Sequence, residues 1–382
     1  MALTLPASPT LNQTYTLGSK TWIWNGSSWR ATVTATTVAS YDTSTTSTGF
    51  LALPSGNTVQ RPPTPTVGNT RWNTTLSVAE VWTGTSWFPY ANSLPATASI
   101  EILVVAGGGT GGRLNYSGPN RGAGGGAGGL IYITSFPVIV GSTYVITVGG
   151  GGSSLSGTAT ANGNNSVVAN TSAGRTLTAI GGGSGAYGDN TNNAQTGGSG
   201  GGSWFPGYTG AASIQPVATY DGLNTYATTG WGNKGGDSGS SQPYGGGGGG
   251  AGGAGGNYNG TNGPVGGLGK TYDISGTTTT YAGGGSSAGF SGDAGVVLFN
   301  NTNYGGLGGG GTGYNSAYNT ASNGQSGKGG GGGSGGSGGG GIVILRYSTA
   351  YADAISTTGS PTITNNGSYR IYNWTTSGSI TF

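Results

Sequence analysis

The chain has 382 residues, of which 5% are charged and 89 are glycine; 12 basic and 9 acidic residues leave a net charge of +3, and cysteine and histidine are absent. This composition excludes disulfide staples, thiolate nucleophiles, Cys/His zinc sites and a Ser-His-Asp triad. The basic residues form no stripe that could neutralise a row of phosphates, so no nucleic acid is expected as a partner. No apolar run approaches the ~20 residues that span a bilayer, so no membrane insertion is expected. The opening MALTLPASPT lacks a basic segment followed by an apolar stretch, so no conventional signal peptide is expected. The carboxylates lie singly and far apart, which gives no local acid–base pair; the expectation is no enzyme, no cofactor and no metal.

Residues 1–97 are rich in Thr, Ser and Trp, and W-x-G-x-S-W occurs twice, at 24–29 and 82–87. Glycine supplies the positive φ of a tight turn and tryptophan favours the flanking strands, so each copy reads as a β-hairpin. Two modules follow, residues 1–40 and 41–97, with Arg61-Pro62-Pro63-Thr64-Pro65 as a stiff connector between the hairpins. Trp24, Trp29, Trp82 and Trp87 are either the cores of these small modules or an aromatic surface for attachment.

Residues 98–348 are dominated by glycine. They open with IEILVV (100–105) and close with IVILRY (342–347), apolar strands expected to pair and bring the ends of the domain together. Further short strands are expected at 130–133, 144–148, 177–180 and 296–299. The densest tract, GGGGGGAGGAGG at 245–256, has no side chains for a core and is disfavoured in an α-helix. Such a run can form a left-handed helix of three residues per turn, rising about 3.1 Å per residue, whose N–H and C=O groups all point outward and must be satisfied. The spacings Ala251/Ala254, Ser334/Ser337 and Gly260/Gly263/Gly266/Gly269 fit that period, and a dozen residues would make a rod of about 37 Å. A broken G-X-Y period excludes collagen, and G-x-G-x-x-G matches carry no weight in a glycine-saturated chain. Residues 349–382 return to a strand-like texture. The fold expected is mainly β with little or no α-helix: N-terminal β-hairpin modules, then a glycine-rich domain of packed polyglycine II-type helices framed by β-strands.

Between glycine tracts lie segments rich in Tyr, Asn, Ser and Thr, a composition close to that of a binding loop surface. If the tracts are parallel rods, their connections fall at the rod ends, where a scaffold displays binding residues. Candidate contacts are Trp204, Phe205, Tyr208, Tyr220, Asn224, Tyr226 and Trp231, with Tyr258, Tyr304, Tyr314 and Tyr318 from other loops. Their rings suit the C–H faces of sugars; the alternative is that they cap the rods.

The stretches 102–109 (ILVVAGGG), 124–130, 144–152, 180–183 and 338–347 closely resemble the glycine-rich domain of tail fibres of tailed bacteriophages, especially those of marine and cyanobacterial hosts. The ending 369–382 looks like the short strand pair that often follows that domain. The tryptophan repeats with Arg61-Pro62 and Arg71-Trp72-Asn73-Thr74 are similar to small modules of phage structural proteins. The tip adhesins of T-even phages are a looser analogy. The resemblance implies a virion protein, exposed extracellularly, whose N-terminal region binds tail or baseplate proteins and whose glycine-rich domain binds a host cell-surface glycan or outer-membrane receptor. It also implies a homotrimer, although the tip adhesins act as monomers. The rival readings are a non-adhesive collar or neck fibre, an ice-binding glycine-rich protein and a depolymerase.

Overall fold

In the computed structural model, the residues described are 6–17, 20–32, 53–75, 78–90, 97–113, 122–153, 160–187, 193–215, 218–219, 225–226, 230–240, 245–258, 264–288, 305–313 and 321–382. The chain divides into two compact units, Met1–Tyr90 and Ala91–Phe382. Among the described residues there is no α-helix.

Among the described residues, the first unit holds two small sheets. Strands β1 (Thr14–Leu17), β2 (Lys20–Trp24) and β3 (Trp29–Thr32) form an antiparallel meander; β4 (Ser55–Gly56), β5 (Thr70–Asn73), β6 (Val78–Trp82) and β7 (Trp87–Tyr90) form the other, with only β4 parallel to its neighbour. Each W-x-G-x-S-W is a hairpin whose two tryptophans pair across the ladder, with ring centroids 5.8 Å apart in the first copy and 5.9 Å in the second. The turn glycines are left-handed, Gly26 at φ +99° and Gly84 at φ +103°. The repeat extends further than its letters reveal. Asn12 N–H donates to Trp24 O and Trp24 N–H to Gln13 O; Gly68 N–H donates to Trp82 O and Trp82 N–H to Asn69 O.

The second unit is built on a β-sandwich. Its strands are β8 (Thr97–Val105), β9 (Leu130–Ile139), β10 (Thr143–Thr147), β11 (Ser166–Asn170), β12 (Arg175–Ala179), β13 (Ala218–Thr219), β14 (Thr225–Tyr226), β15 (Gly230–Trp231), β16 (Lys270–Tyr272), β17 (Thr279–Tyr281), β18 (Ile342–Ser348), β19 (Ser356–Thr358), β20 (Thr362–Asn366), β21 (Tyr369–Trp374) and β22 (Gly378–Thr381). One sheet has the order β15-β9-β8-β18-β21-β20 and the other β12-β11-β10-β22-β19, so the C-terminal strands belong to both. The two apolar strands that bracket the glycine zone do pair: β8 and β18 are antiparallel, with Val105 opposite Ile342 and Leu103 opposite Ile344. Side chains alternate across a strand. Ile102, Val104, Val343 and Leu345 therefore pack with Tyr144, Ile146, Val168, Leu177 and Ile380 of the second sheet. Leu103, Val105, Ile342 and Ile344 pack on the opposite face with Ile274, Tyr281, Ala127 and Ala251. Burial on both faces explains why these strands read as unbroken apolar runs. The strand expected at 296–299 lies outside the described residues.

The glycine segments belong to no sheet, and their backbone hydrogen bonds follow a period of three. In segment 106–112, the amides of Ala106, Gly109 and Gly112 donate to Gly129, Gly126 and Ala123; those of Gly107 and Thr110 to Asn164 and Ala161; those of Gly108 and Gly111 to Gly339 and Gly336. Its carbonyls accept from three further segments, through Gly182 and Gly185, Gly152, and Gly332 and Gly335. Segment 123–129 repeats the pattern, donating to segments containing Gly183, Gly246 and Gly332 and accepting from those containing Gly109, Gly202 and Gly285. Segment 246–251 does so again, donating toward Gly200, Gly256 and Gly285 and accepting from Ala127, Gly236 and Gly267. These interior segments thus satisfy buried backbone groups against neighbours on all sides, which is what replaces a side-chain core. The spacing leaves no room for substituents: a Cβ on Gly108 would lie 2.1 Å from Gly330 O. Among the side chains in this lattice, Thr110 Oγ1 accepts from Ala161 N–H at 3.0 Å.

Two expectations about the tracts are corrected. GGGGGGAGGAGG is not one rod, because the chain turns back where Gly250 N–H donates to Gly253 O, so Ala251 is buried at the end of one segment and Ala254 is exposed on the next. Ser334 and Ser337 are likewise separated by a reversal at Gly335, φ +84°, where Gly336 N–H donates to Gly333 O. The threefold period is carried by the order of hydrogen-bond partners; these pairs of small residues mark places where a segment stops.

Candidate functional site

The segments have a sheet end and a far end. Ala106 follows β8 directly and bonds to Gly129, the residue before β9, whereas six positions on Gly112 bonds to Ala123. From Ala123 the far end continues through Ala186, Gly202, Gly236 and Gly246, each joined to the next segment by backbone bonds. Among the described residues, candidate aromatics are found at both ends.

Trp204 is at the far end but inside it: it is 2% exposed and packs against Ala123 and Ala186, so its ring seals the lattice and presents no face to solvent. Phe205 and Tyr208 follow on a tight Phe-Pro-Gly-Tyr turn, in which Gly207 has φ +80° and Tyr208 N–H donates to Phe205 O at 3.2 Å. Proline then glycine at the centre is the residue choice such a turn demands. The two rings are half-buried, with centroids 6.1 Å apart. Ser203 Oγ donates to Tyr208 O at 2.9 Å and accepts from Ser238 N–H at 2.8 Å, while Ser238 Oγ donates to Phe205 O. Tyr258 is tied to the same place, its N–H donating to Asp237 O at 3.2 Å. Asp237 itself accepts from Gly210 N–H at 2.9 Å, faces Lys234 Nζ at 3.3 Å, and donates its N–H to Asn257 Oδ1 at 2.8 Å. The fold thus gathers the backbones of Phe205, Tyr208 and Tyr258 around Asp237 and Ser238, with the Asn257 amide and the Ser203 and Ser238 hydroxyls between them.

Trp231 sits elsewhere, at the sheet end. It pairs with Leu130 in β15–β9, lies against the second apolar core and carries Lys270 Nζ 3.3 Å above its ring. Tyr226 lies in the two-residue ladder β13–β14, opposite Ala218. Tyr220, Asn224, Tyr304, Tyr314 and Tyr318 fall outside the described residues. Sequence reasoning missed Asp237, Ser238 and Asn257; the only signal was their position flanking the 245–256 tract.

In the first unit, Trp24, Trp29, Trp82 and Trp87 are half-buried hairpin pairs, and the organising group is a carboxylate. Glu80 is fully buried, accepting from Arg61 Nη2 at 2.6 Å and Nε at 3.2 Å and from Asn73 Nδ2 at 3.0 Å, with Arg71 Nε at 3.6 Å. The Arg61 hydrogen bond, and then Asn73 and the two positive charges, outweigh burial and hold Glu80 below the usual carboxylate range. In a chain with 5% charge, three charges within 61–80 were the legible sign of this cluster. A second ion pair joins the sandwich to its surroundings: Arg346 Nη2 lies 2.9 Å from Glu101 and 3.4 Å from Asp273, and Tyr132 donates to Glu101 at 2.7 Å. Burial is the main cause of the raised pKa of that tyrosine. Among the described residues no group of His, Cys, Asp or Glu is placed to hold a metal ion.

Comparison with curated proteins returns no match to this sequence. Residues 83–348, which include every glycine segment described above, match the model of the family described as the glycine-rich domain, and the chain belongs to that family.

Proposed function

We propose that the chain is a bacteriophage tail fibre or receptor-binding protein, non-enzymatic, held to tail or baseplate proteins through its N-terminal region and binding a host surface glycan through far-end loops of the glycine-rich domain. We read the glycine segments as polyglycine II-type helices. What supports this is that successive amides turn to three different neighbours before the first returns, as three residues per turn requires. The observation that carries the functional reading is the clustering of Phe205, Tyr208 and Tyr258 where the segments end, on a base whose backbone bonds leave it little freedom to move. Half-buried aromatic rings beside amide and hydroxyl groups suit a sugar ligand. Because the interior segments find their partners within one chain, the homotrimer of this proposal is an assembly of already folded domains.

The test is adsorption. Purified protein added to host cells should block attachment of the phage that carries it, and gold-labelled antibody should decorate the free ends of the fibres. Decoration at the neck with no block of attachment would replace this reading by that of a collar or neck fibre.

A further inference from the structure

A cavity of about 300 Å³ opens in the first unit, and its lining includes Pro54, Gln60, Pro62, Asn69, Arg71 and Trp87. Its charge comes from Arg71, which is 5% exposed; Nη2 donates to Asn57 O at 3.1 Å, and Nη1 has no hydrogen-bond partner. The neighbouring carboxylate, Glu80, already holds the bidentate Arg61 and Asn73. Two guanidinium groups therefore share one carboxylate, and among the described residues the cavity wall keeps an excess positive charge. An unpaired buried donor of this kind is costly unless something answers it.

The neutral groups complement that charge. Gln60 Oε1 accepts from Asn57 N–H at 2.9 Å and Asn69 Oδ1 from Thr66 N–H at 2.8 Å, so among the described residues each amide has its NH2 donors left to offer. Trp87 and the two prolines add flat apolar walls. The matching ligand has one negative charge, several acceptor oxygens and a C–H face, and is the size of a single sugar ring. A peptide acid brings a carboxylate and carbonyl acceptors but no C–H ring face to lie on Trp87.

We propose that this cavity binds one uronic acid residue of an acidic polysaccharide, with its carboxylate toward Arg71, its hydroxyl oxygens on the amides of Gln60 and Asn69, and its C–H face on Trp87. The site is separate from the far-end loops and does not rest on their proposed role.

The experiment is saturation-transfer NMR on the full chain with galacturonate, galactose and N-acetylaspartate methylamide. Galacturonate should bind at millimolar concentration and the other two at least tenfold more weakly, and added salt should weaken galacturonate while leaving the residual signal of neutral galactose unchanged. Arg71→Gln should abolish binding but endangers the Glu80 cluster. Pro62→Glu, at an exposed rim position, should lower galacturonate affinity at least tenfold without shifting the melting temperature. The proposal is overturned by absent galacturonate binding, by equal binding of galactose or of the peptide acid, or by a Pro62→Glu variant that binds as the parent does.

Discussion

Gly248 and Gly125 meet backbone to backbone: a Cβ on Gly248 would lie 1.9 Å from the Gly125 carbonyl oxygen, which itself accepts from Gly285 N–H at 2.9 Å. A methyl group there must displace a hydrogen-bonded neighbour. Gly248→Ala should therefore destabilise the second unit by about 3 kcal/mol, the upper range of overpacking in a closed core. Gly253→Ala is the control, because the nearest atom to its Cβ is 3.8 Å away. That variant should be neutral or gain up to about 1 kcal/mol from the stiffer unfolded chain. Urea unfolding of both variants decides the matter, and equal midpoints would mean that glycine is not required by contact.

The same packing predicts slow hydrogen exchange. The amides of Gly108, Gly125 and Gly248 donate to Gly339, Gly332 and Gly285 inside the lattice. They should exchange only through global opening, at rates like those of Val104 and Ile344 in the central strands. Exchange within minutes at neutral pH would show that the segments open independently of the sandwich.

Much of this was legible because some residues leave no alternative. Two apolar runs in a chain otherwise poor in them had to be central strands, and the equal spacing of Trp24/Trp29 and Trp82/Trp87 announced equal hairpins. Strand β11 was missed because Ser166 and Asn170 dilute its apolar pattern, although Ser166 is fully buried and its Oγ donates to Val105 O at 2.8 Å. The segment ends were not legible at all. Whether a glycine continues a segment or reverses it is a matter of backbone conformation, left-handed at Gly335 but not at the 250–253 reversal, and Gly335 and Gly338 look identical in the sequence. For that reason the candidate aromatics could be named but not sorted into Trp204 inside, Phe205 and Tyr208 at the far end, and Trp231 beside the sheet.

The Arg61–Glu80 pair predicts an acid-sensitive first unit. Glu80 has a lowered pKa in the folded state, so its stabilisation is complete above the ordinary carboxylate pKa and is lost as the pH falls through the lowered folded value. Glu80→Gln should destabilise the unit by about 3–5 kcal/mol at neutral pH, since it leaves two guanidinium groups without their anion. The gap between parent and variant should shrink on acidification. Exchange of the Trp82 amide, which donates to Asn69 O at 2.9 Å, reports this unit separately from the sandwich. A gap that stays constant down to strongly acidic pH would remove Glu80 from the account.

On the proposed reading, host attachment and stability should separate along the chain. Phe205 and Tyr208 project from a turn whose backbone is held by Ser203 and Ser238, so truncating their rings leaves those bonds in place. Phe205→Ala with Tyr208→Ala should reduce adsorption at least tenfold while changing stability by no more than about 1 kcal/mol, the range for partly exposed positions. Trp231 contributes instead to the apolar core beneath the sheet and to the contact with Lys270. Trp231→Ala should lower the melting temperature, by the equivalent of about 3 kcal/mol, yet leave adsorption per folded molecule unchanged. If Trp231→Ala abolished adsorption at full stability while the turn variant adsorbed normally, the contact surface would lie at the sheet end, and display by the far-end loops would be wrong.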